Sequence, residues 1–250
     1  MLRNRCAAFA AGAALIAVAL AAQGGRDQLR FIVQQQCVPH WLSNADPSPC
    51  VSVSLIGDSP ESQGFAVLPD QKGGAHFLLI PTGTISGIES PDVLAPRAIN
   101  YFDAAWQARD VLATASGHPV PRTAIGMAVN QIRARSQDQL HIHISCLGQP
   151  VYEALRMEAG RMGDRWTPLS IGGWQYQVIR IGGARLDRAN PFELLADRLP
   201  GARNSMDQFT LLVAGMQFAE GPGFAILAGT QVPGAELLLD STCAVKGAEK

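Results

Sequence analysis

Residues 140–145 read Leu-His-Ile-His-Ile-Ser, an alternation that constrains the fold more than any other stretch of the chain. Successive side chains of a β-strand point to opposite faces. Leu140, Ile142 and Ile144 therefore enter a core while His141, His143 and Ser145 share the other side, neighbours being about 7 Å apart. The pair reads as chemistry carried on a rigid strand. Two satisfied polar side chains on a half-exposed sheet would be the plain alternative. A metal site is the sharper one, since strand histidines at this spacing can give two ligands to zinc or a related ion, with a third from His40, His76, His118 or a distant carboxylate. No third ligand comes at a recognisable spacing, so neither metal nor cofactor is expected. His76 lies in an apolar strand and reads as structural, and His40 and His118 read as loop residues.

The chain has 250 residues, 47% of them hydrophobic, which suffices for a core in one large domain or two small ones. Its 20 basic and 21 acidic side chains leave a formal charge of -1, with no cationic footprint for a phosphate backbone, so nucleic acid is excluded as a partner.

Residues 1–26 carry Arg3 and Arg5 before an apolar run from Ala7 to Ala22, with no acidic side chain until Asp27. This is the pattern of an export signal. As a helix the run spans roughly 24 Å, short of the roughly 30 Å hydrocarbon core, and Ala19-Leu20-Ala21 offers small residues at cleavage spacing. A cleaved signal peptide and an uncleaved membrane anchor both remain open. Either way the remainder, residues 27–250, is expected on the far side of the membrane. Outside the signal stand Cys37, Cys50, Cys146 and Cys243, an even set that suits an oxidising compartment. The expected pairs are Cys37 with Cys50, closing a short proline-containing loop worth about 3 kcal/mol, and Cys146 with Cys243, tying the tail to the histidine strand. Four buried free thiols are the alternative.

The rest reads as α+β. A helix is expected over Gln28–Gln36 and a loop over Cys37–Cys50. Strands follow at Val51–Ile56, Gly64–Leu68 and Ala75–Ile80, with Asp70-Gln71-Lys72-Gly73-Gly74 as a hairpin connection. Apolar residues at helical spacing mark Pro96–Ala115 as a helix, and Thr123–Asn130 and Gln139–Leu147 read as strands. A second round follows: a strand at Trp174–Ile181, a helix capped by Asn190 with Pro191 at its first position, and strands at Gln208–Ala214 and Gly223–Ala228. The order suggests two pseudo-repeated halves around a mostly antiparallel sheet with packed helices.

His141-Ile142-His143-Ile144-Ser145 resembles the His-x-His-x-His signature of the histidine triad superfamily. His76-Phe77-Leu78-Leu79-Ile80-Pro81, with Ile85-Ser86 after it, is similar to the strand and turn those folds place before their long helix. Asn130 stands where the family carries an asparagine near the active histidine. Three segments resemble one branch more closely: Phe77 to Pro91 (FLLIPTGTISGIESP), Ala105-Trp106-Gln107-Ala108-Arg109, and Arg135 to Leu147 (RSQDQLHIHISCL) are similar to the bacterial CDP-diacylglycerol pyrophosphatases. The resemblance implies a histidine-triad-like fold and hydrolysis of CDP-diacylglycerol to CMP and phosphatidate. It also implies an inner-membrane protein with one N-terminal pass and its hydrolase domain in the periplasm.

By the same resemblance His143 attacks the phosphorus that bears the nucleoside, giving a nucleotidyl-histidine that water hydrolyses. His141 flanks it, and Asn130 orients a neighbouring ring. The expected substrate contacts are Asn130, Ser136, Gln137, Gln139 and Ser145. Ser145 stands where the triad carries its third histidine, which favours a leaving group that needs no proton, such as phosphatidate. Because a protonated imidazole cannot attack, activity is expected to fall below about pH 6. Arg161, Arg165 and Trp166 form a loop that can meet lipid or phosphate, or serve only as surface. Two other readings stay open, a hydrolase or nucleotidyltransferase of soluble nucleotides and an exported nucleotide- or lipid-binding protein without catalysis.

Overall fold

The computed structural model describes residues 25–57 and 63–245. The expected signal or anchor therefore falls almost wholly outside the described residues, as do Cys6 and the cleavage position near Ala21. Among the described residues no helix is long and apolar enough to cross a membrane.

The first elements correct the expected loop. Helix α1 (Gln28–Ile32) runs into a π-turn at Val33–Cys37 and on into α2 (Val38–Asn44), so residues 37–44 are helical. Pro39 falls in the first turn after the π-turn, where the bond ladder is already displaced and a missing N–H costs least. His40 is thus helical and exposed, not in a loop. Ala45 ends the helix at φ 56°, in the left-handed region of a helix C-cap.

The strands are β1 (Ser52–Leu55), β2 (Gly64–Pro69), β3 (His76–Pro81), β4 (Ile125–Val129), β5 (Ile142–Leu147), β6 (Thr167–Ile171), β7 (Trp174–Gly182), β8 (Thr210–Phe218), β9 (Gly221–Gly229) and β10 (Leu239–Asp240). They form one sheet in the order β1-β2-β3-β5-β4-β8-β9-β7-β6, with β10 added to β5, and every pairing is antiparallel. Strand β6 and a helix before it, α5 (Gln149–Glu158), were not foreseen from the sequence. The expected helix over residues 96–115 is two helices. Asn100 caps α3 (Tyr101–Ala108) by accepting from the Asp103 N–H at 3.2 Å, and α4 (Val111–Ser116) follows after a break at Arg109-Asp110. Helix α6 (Pro191–Arg198) has the expected cap, Asn190 accepting from the Phe192 N–H.

One face of the sheet carries Phe77, Leu79, Ile142, Ile144 and Met127 into a core with Phe102 and Trp106 of α3 and Phe192 of α6. On the opposite face, Leu68, Leu78 and Ile80 pack beneath Leu29 of α1, Val33 of the π-turn and Val38 of α2. His143 belongs to this second face, paired across the ladder with Leu78 on β3 and Ala128 on β4. The alternation at residues 140–145 thus separates core from site as the side-chain period of two requires.

Both expected disulfides are present: Cys37–Cys50, Cα atoms 5.6 Å apart, ties the helical arm to the start of β1, and Cys146–Cys243, 5.0 Å, ties the tail to β5.

Candidate active site

A cavity of about 320 Å³ opens on the second face between α1, the β2–β3 turn, the loop after β4 and the C-terminal segment. His141 and His143 form part of its wall, with Asn130, Ser136 and Gln137, as the sequence suggested. Asp70, Lys72 and Glu236 line it as well and were not foreseen.

His143 is 3% exposed, and its two ring nitrogens have different surroundings. Nδ1 is 3.0 Å from Nε2 of His76, a hydrogen bond in which one of the two nitrogens carries the proton. Strand pairing makes this contact: His76 lies opposite Ser145 on β5, two residues along the same face from His143. His76, read from sequence as merely structural, therefore belongs to the site. Nε2 of His143 is buried with no hydrogen bond, although Glu236 Oε2 is 3.2 Å away, because the carboxylate stands off the direction in which that nitrogen bonds. A buried nitrogen left unpaired beside a cavity marks a place where a ligand atom belongs.

His141 ends the approach to β5. Its Nδ1 donates to the Gln139 carbonyl at 2.7 Å, which leaves Nε2 as the bare nitrogen of the neutral ring. The rings of His141 and His143 meet edge to face with centroids 5.0 Å apart. Burial pushes all three imidazoles below the ordinary histidine value. For His143 the displacement is large, and His141, His76 and Lys72 add to it. All three rings are therefore neutral at pH 7 and present lone pairs rather than charge.

Ser136 and Gln137 reach the cavity because their loop is fixed from beneath. Arg135, 5% exposed in its side chain, donates to Glu89 at 2.6 Å and to Asp138 at 3.3 Å. Gly87 makes room for this, since a Cβ there would meet Arg135 Nη1 at 1.9 Å. Arg26 clamps Asp138 from the other side through two hydrogen bonds of 2.7 and 2.8 Å, and the Arg26 bond chiefly brings the Asp138 carboxyl down to about 2. Gln137 in turn accepts from the Leu29 N–H at 3.1 Å, joining the loop to α1.

Other expected contacts go elsewhere. Gln139 is fully buried away from the cavity, its amide donating to the carbonyls of Pro81 and Gly83. Ser145 is also buried away from it, its hydroxyl bonded to the carbonyls of Ala75 and Asp240. Ser145 is thus a structural tie between β3, β5 and the tail. Asn130 borders the cavity but touches no imidazole; its Oδ1 accepts from the Glu236 N–H at 3.3 Å. Arg161, Arg165 and Trp166 line no part of this cavity, and neither do His40 and His118.

Asp70, His76 and His143 could hold a metal ion, their candidate ligand atoms lying within 4.8 Å of one another. The two histidine nitrogens aim at each other in a hydrogen bond rather than at a shared point, so a metal would have to break that bond first. Sequence could not reveal the set around His143. Asp70 and Lys72 lie in a turn read only as a turn, and Glu236 is 93 positions from His143 in the chain, brought near by the pairing of β10 with β5.

An antiparallel α+β fold that presents neutral, buried imidazoles to a polar cavity has the chemistry that nucleophilic or basic catalysis requires. A sequence model described as CDP-diacylglycerol pyrophosphatase matches residues 24–247. A protein named CDP-diacylglycerol pyrophosphatase from Yersinia pestis is 42% identical over 227 residues, covering 88% of this chain and 84% of its own length. The chain belongs to the CDP-diacylglycerol pyrophosphatase family, and it is an enzyme that hydrolyses CDP-diacylglycerol.

Proposed function

We infer that the hydrolysis to CMP and phosphatidate proceeds through a nucleotide bonded to Nε2 of His143. The observation that carries this reading is the state of that nitrogen, buried without a hydrogen bond on a neutral ring whose residue lines the cavity, with the Glu236 carboxylate 3.2 Å away. With Nδ1–H of His143 donating to His76, the lone pair resides on Nε2. That nitrogen bonds to the phosphorus bearing cytidine, the bridging P–O bond breaks, and phosphatidate departs as a phosphate that needs no proton. Water then attacks the phosphorus, the P–N bond breaks with its electron pair returning to Nε2, and the proton given up by the water passes to solvent as CMP leaves. Splitting one displacement into two leaves the fold mainly to position groups and stabilise charge, roles that suit His141, Ser136 and Gln137 on the cavity wall. Gln139 and Ser145 act on the site only through the backbone they hold.

The test is to quench the enzyme in acid during turnover of substrate labelled in its cytidine phosphate. Label retained on a peptide containing His143 is the expected result. Undiminished CMP release by His143→Ala would remove the nucleophile.

The histidine-triad-like, two-halved architecture is part of this reading. Strands pair in the order β2-β3-β5-β4 on one side of the β4–β8 junction and β6-β7-β9-β8 on the other. Each half carries helix between its second and third strands, α3 and α4 in the first and α6 in the second. We also read residues 1–26 as the link to the inner membrane, with the remaining chain in the periplasm. Support comes from the entry of the chain beside the cavity, where Arg26 holds Asp138 and Gln28 and Leu29 line the wall. The two disulfides agree with an oxidising compartment. Fractionation of the full chain against one starting at residue 25 tests this: the full chain is expected in membranes and the shorter one not.

A further inference from the structure

A phosphoryl group attacked by His143 has to touch the bare Nε2 and a cation that offsets the charge on its oxygens. In the structure that place holds the Glu236 carboxylate: Oε2 lies 3.2 Å from His143 Nε2, and Oε1 lies 3.5 Å from Lys72 Nζ. Among the described residues lining the cavity, Lys72 is the only lysine or arginine, while Asp70 and Glu236 are both acidic. With the imidazoles neutral, a diphosphate approaching this wall meets two carboxylates and one ammonium. Its charge favours taking the ammonium and displacing the nearer carboxylate.

We propose that Lys72 is the phosphate-binding cation of the site and that Glu236 is its resident counter-ion, occupying the phosphoryl position until substrate displaces it. The proposal rests on the reading of His143 as the nucleophile and assigns what faces it. The backbones of both residues are anchored while the heads stay accessible. Asp70 Oδ1 accepts from the Lys72 N–H at 2.7 Å, and the Gly73 N–H donates to the Asp70 carbonyl at 3.0 Å, so the turn that carries Lys72 is closed. The other Asp70 oxygen is 4.0 Å from His143 Nδ1, which sets that turn against the nucleophile. On the far side Asn130 holds the Glu236 N–H, and Gly234 lets it do so, because a Cβ there would meet Asn130 Oδ1 at 2.7 Å. The side chains remain 60% exposed for Lys72 and 23% for Glu236, so the pair can part without unfolding anything. A surface pair of this kind is weakly held, as a displaceable occupant has to be.

The experiment measures CMP binding by calorimetry at low salt with cytidine as the control, and KM for CDP-diacylglycerol in detergent micelles. For Glu236→Gln we expect CMP affinity to rise and KM to fall, each by about 5- to 10-fold. For Lys72→Met we expect both to worsen by about 10-fold or more, with cytidine affinity unchanged in both variants. Far-ultraviolet circular dichroism and the melting temperature establish that each variant is folded. Unchanged or weaker binding and KM in Glu236→Gln, or unchanged values in Lys72→Met, would overturn the proposal. Because CMP binding needs no covalent step, it gives its answer even if His143→Ala still turns over, so the two readings fail separately.

Discussion

His76 and His143 share one hydrogen bond of 3.0 Å between Nε2 of the first and Nδ1 of the second, inside a sheet that buries both rings. The proton in that bond decides which nitrogen of His143 is left bare. On the mechanism proposed above, His76 sets the tautomer of the attacking ring from outside the cavity wall.

Replacing His76 by phenylalanine keeps an aromatic ring, somewhat larger than the imidazole, and removes the hydrogen-bond partner. In that variant kcat is expected to fall by roughly 10²-fold or more while KM stays near its original value, since a wrongly placed proton impairs attack more than binding. His76→Gln, which can accept at a similar reach, is expected to recover part of the loss. Equal kcat values for phenylalanine and glutamine would show that packing alone is at stake.

The pH profile follows from the direction of the histidine shifts. On the proposed mechanism protonation of His143 stops attack, and burial holds that ring well below the usual imidazole value. The acid limb of kcat/KM is therefore expected below pH 6, lower than an unperturbed histidine would give. Stability falls on the acid side as well. The unfolded chain takes up protons on His76, His141 and His143 near pH 6.5, and the folded chain only at lower pH. Stability is thus flat above about pH 7 and declines as pH falls through 6.5, by at most about 1.4 kcal/mol per pH unit for each ring. Urea melts between pH 5 and 8 measure this, and a stability that rises toward pH 5 would contradict it.

Arg135 supports the loop carrying Ser136 and Gln137. Removing it in Arg135→Met leaves Glu89 without its cation in a part-buried place, at an expected cost of about 3 kcal/mol. Gly87→Ala is expected to act through the same pair, since the new methyl group would overlap the guanidinium. Thermal melts and CMP binding should decline together in both variants; lost stability with intact binding would separate the loop from the site.

Metal ions offer another test of the tautomer. Zinc held by His76, Asp70 and Nδ1 of His143 would force the remaining proton onto Nε2 and remove the attacking lone pair. Chelation with EDTA is expected to leave the rate unchanged and added zinc to inhibit, with His76→Gln less sensitive. Loss of activity on chelation, restored by zinc, would give the metal a role in the reaction.

Local patterns carried much of the architecture. The alternation from Leu140 to Ser145 and the capped start of α6 are set by neighbours in sequence, and the even count of exported cysteines points to two bridges, though not by itself to which cysteines pair. Helix α2 was hidden by Pro39, whose usual meaning is overridden by the π-turn before it. At the site, His141 and His143 were visible because their spacing matches the strand period, Ser136 and Gln137 lay close to them in the chain, and Asn130 was picked out by the family resemblance alone. The partners of His143 were not. His76 joins it through the β3–β5 register, and Glu236 through the β10–β5 pairing, neither of which leaves a local mark. Ser145 and Gln139 misled for the converse reason, since a hydroxyl or amide that ties backbone together looks in sequence like one waiting for a ligand.

The two cystines bear on when the catalytic centre comes into being. Leu29, on the cavity wall, enters near one end of the chain, and Glu236 arrives just before Cys243 fastens the tail to the strand of His143. A growing polypeptide therefore owns its histidines well before the segment of Glu236 closes the pocket beside them, and the Cys146–Cys243 bond fastens that segment to the histidine strand.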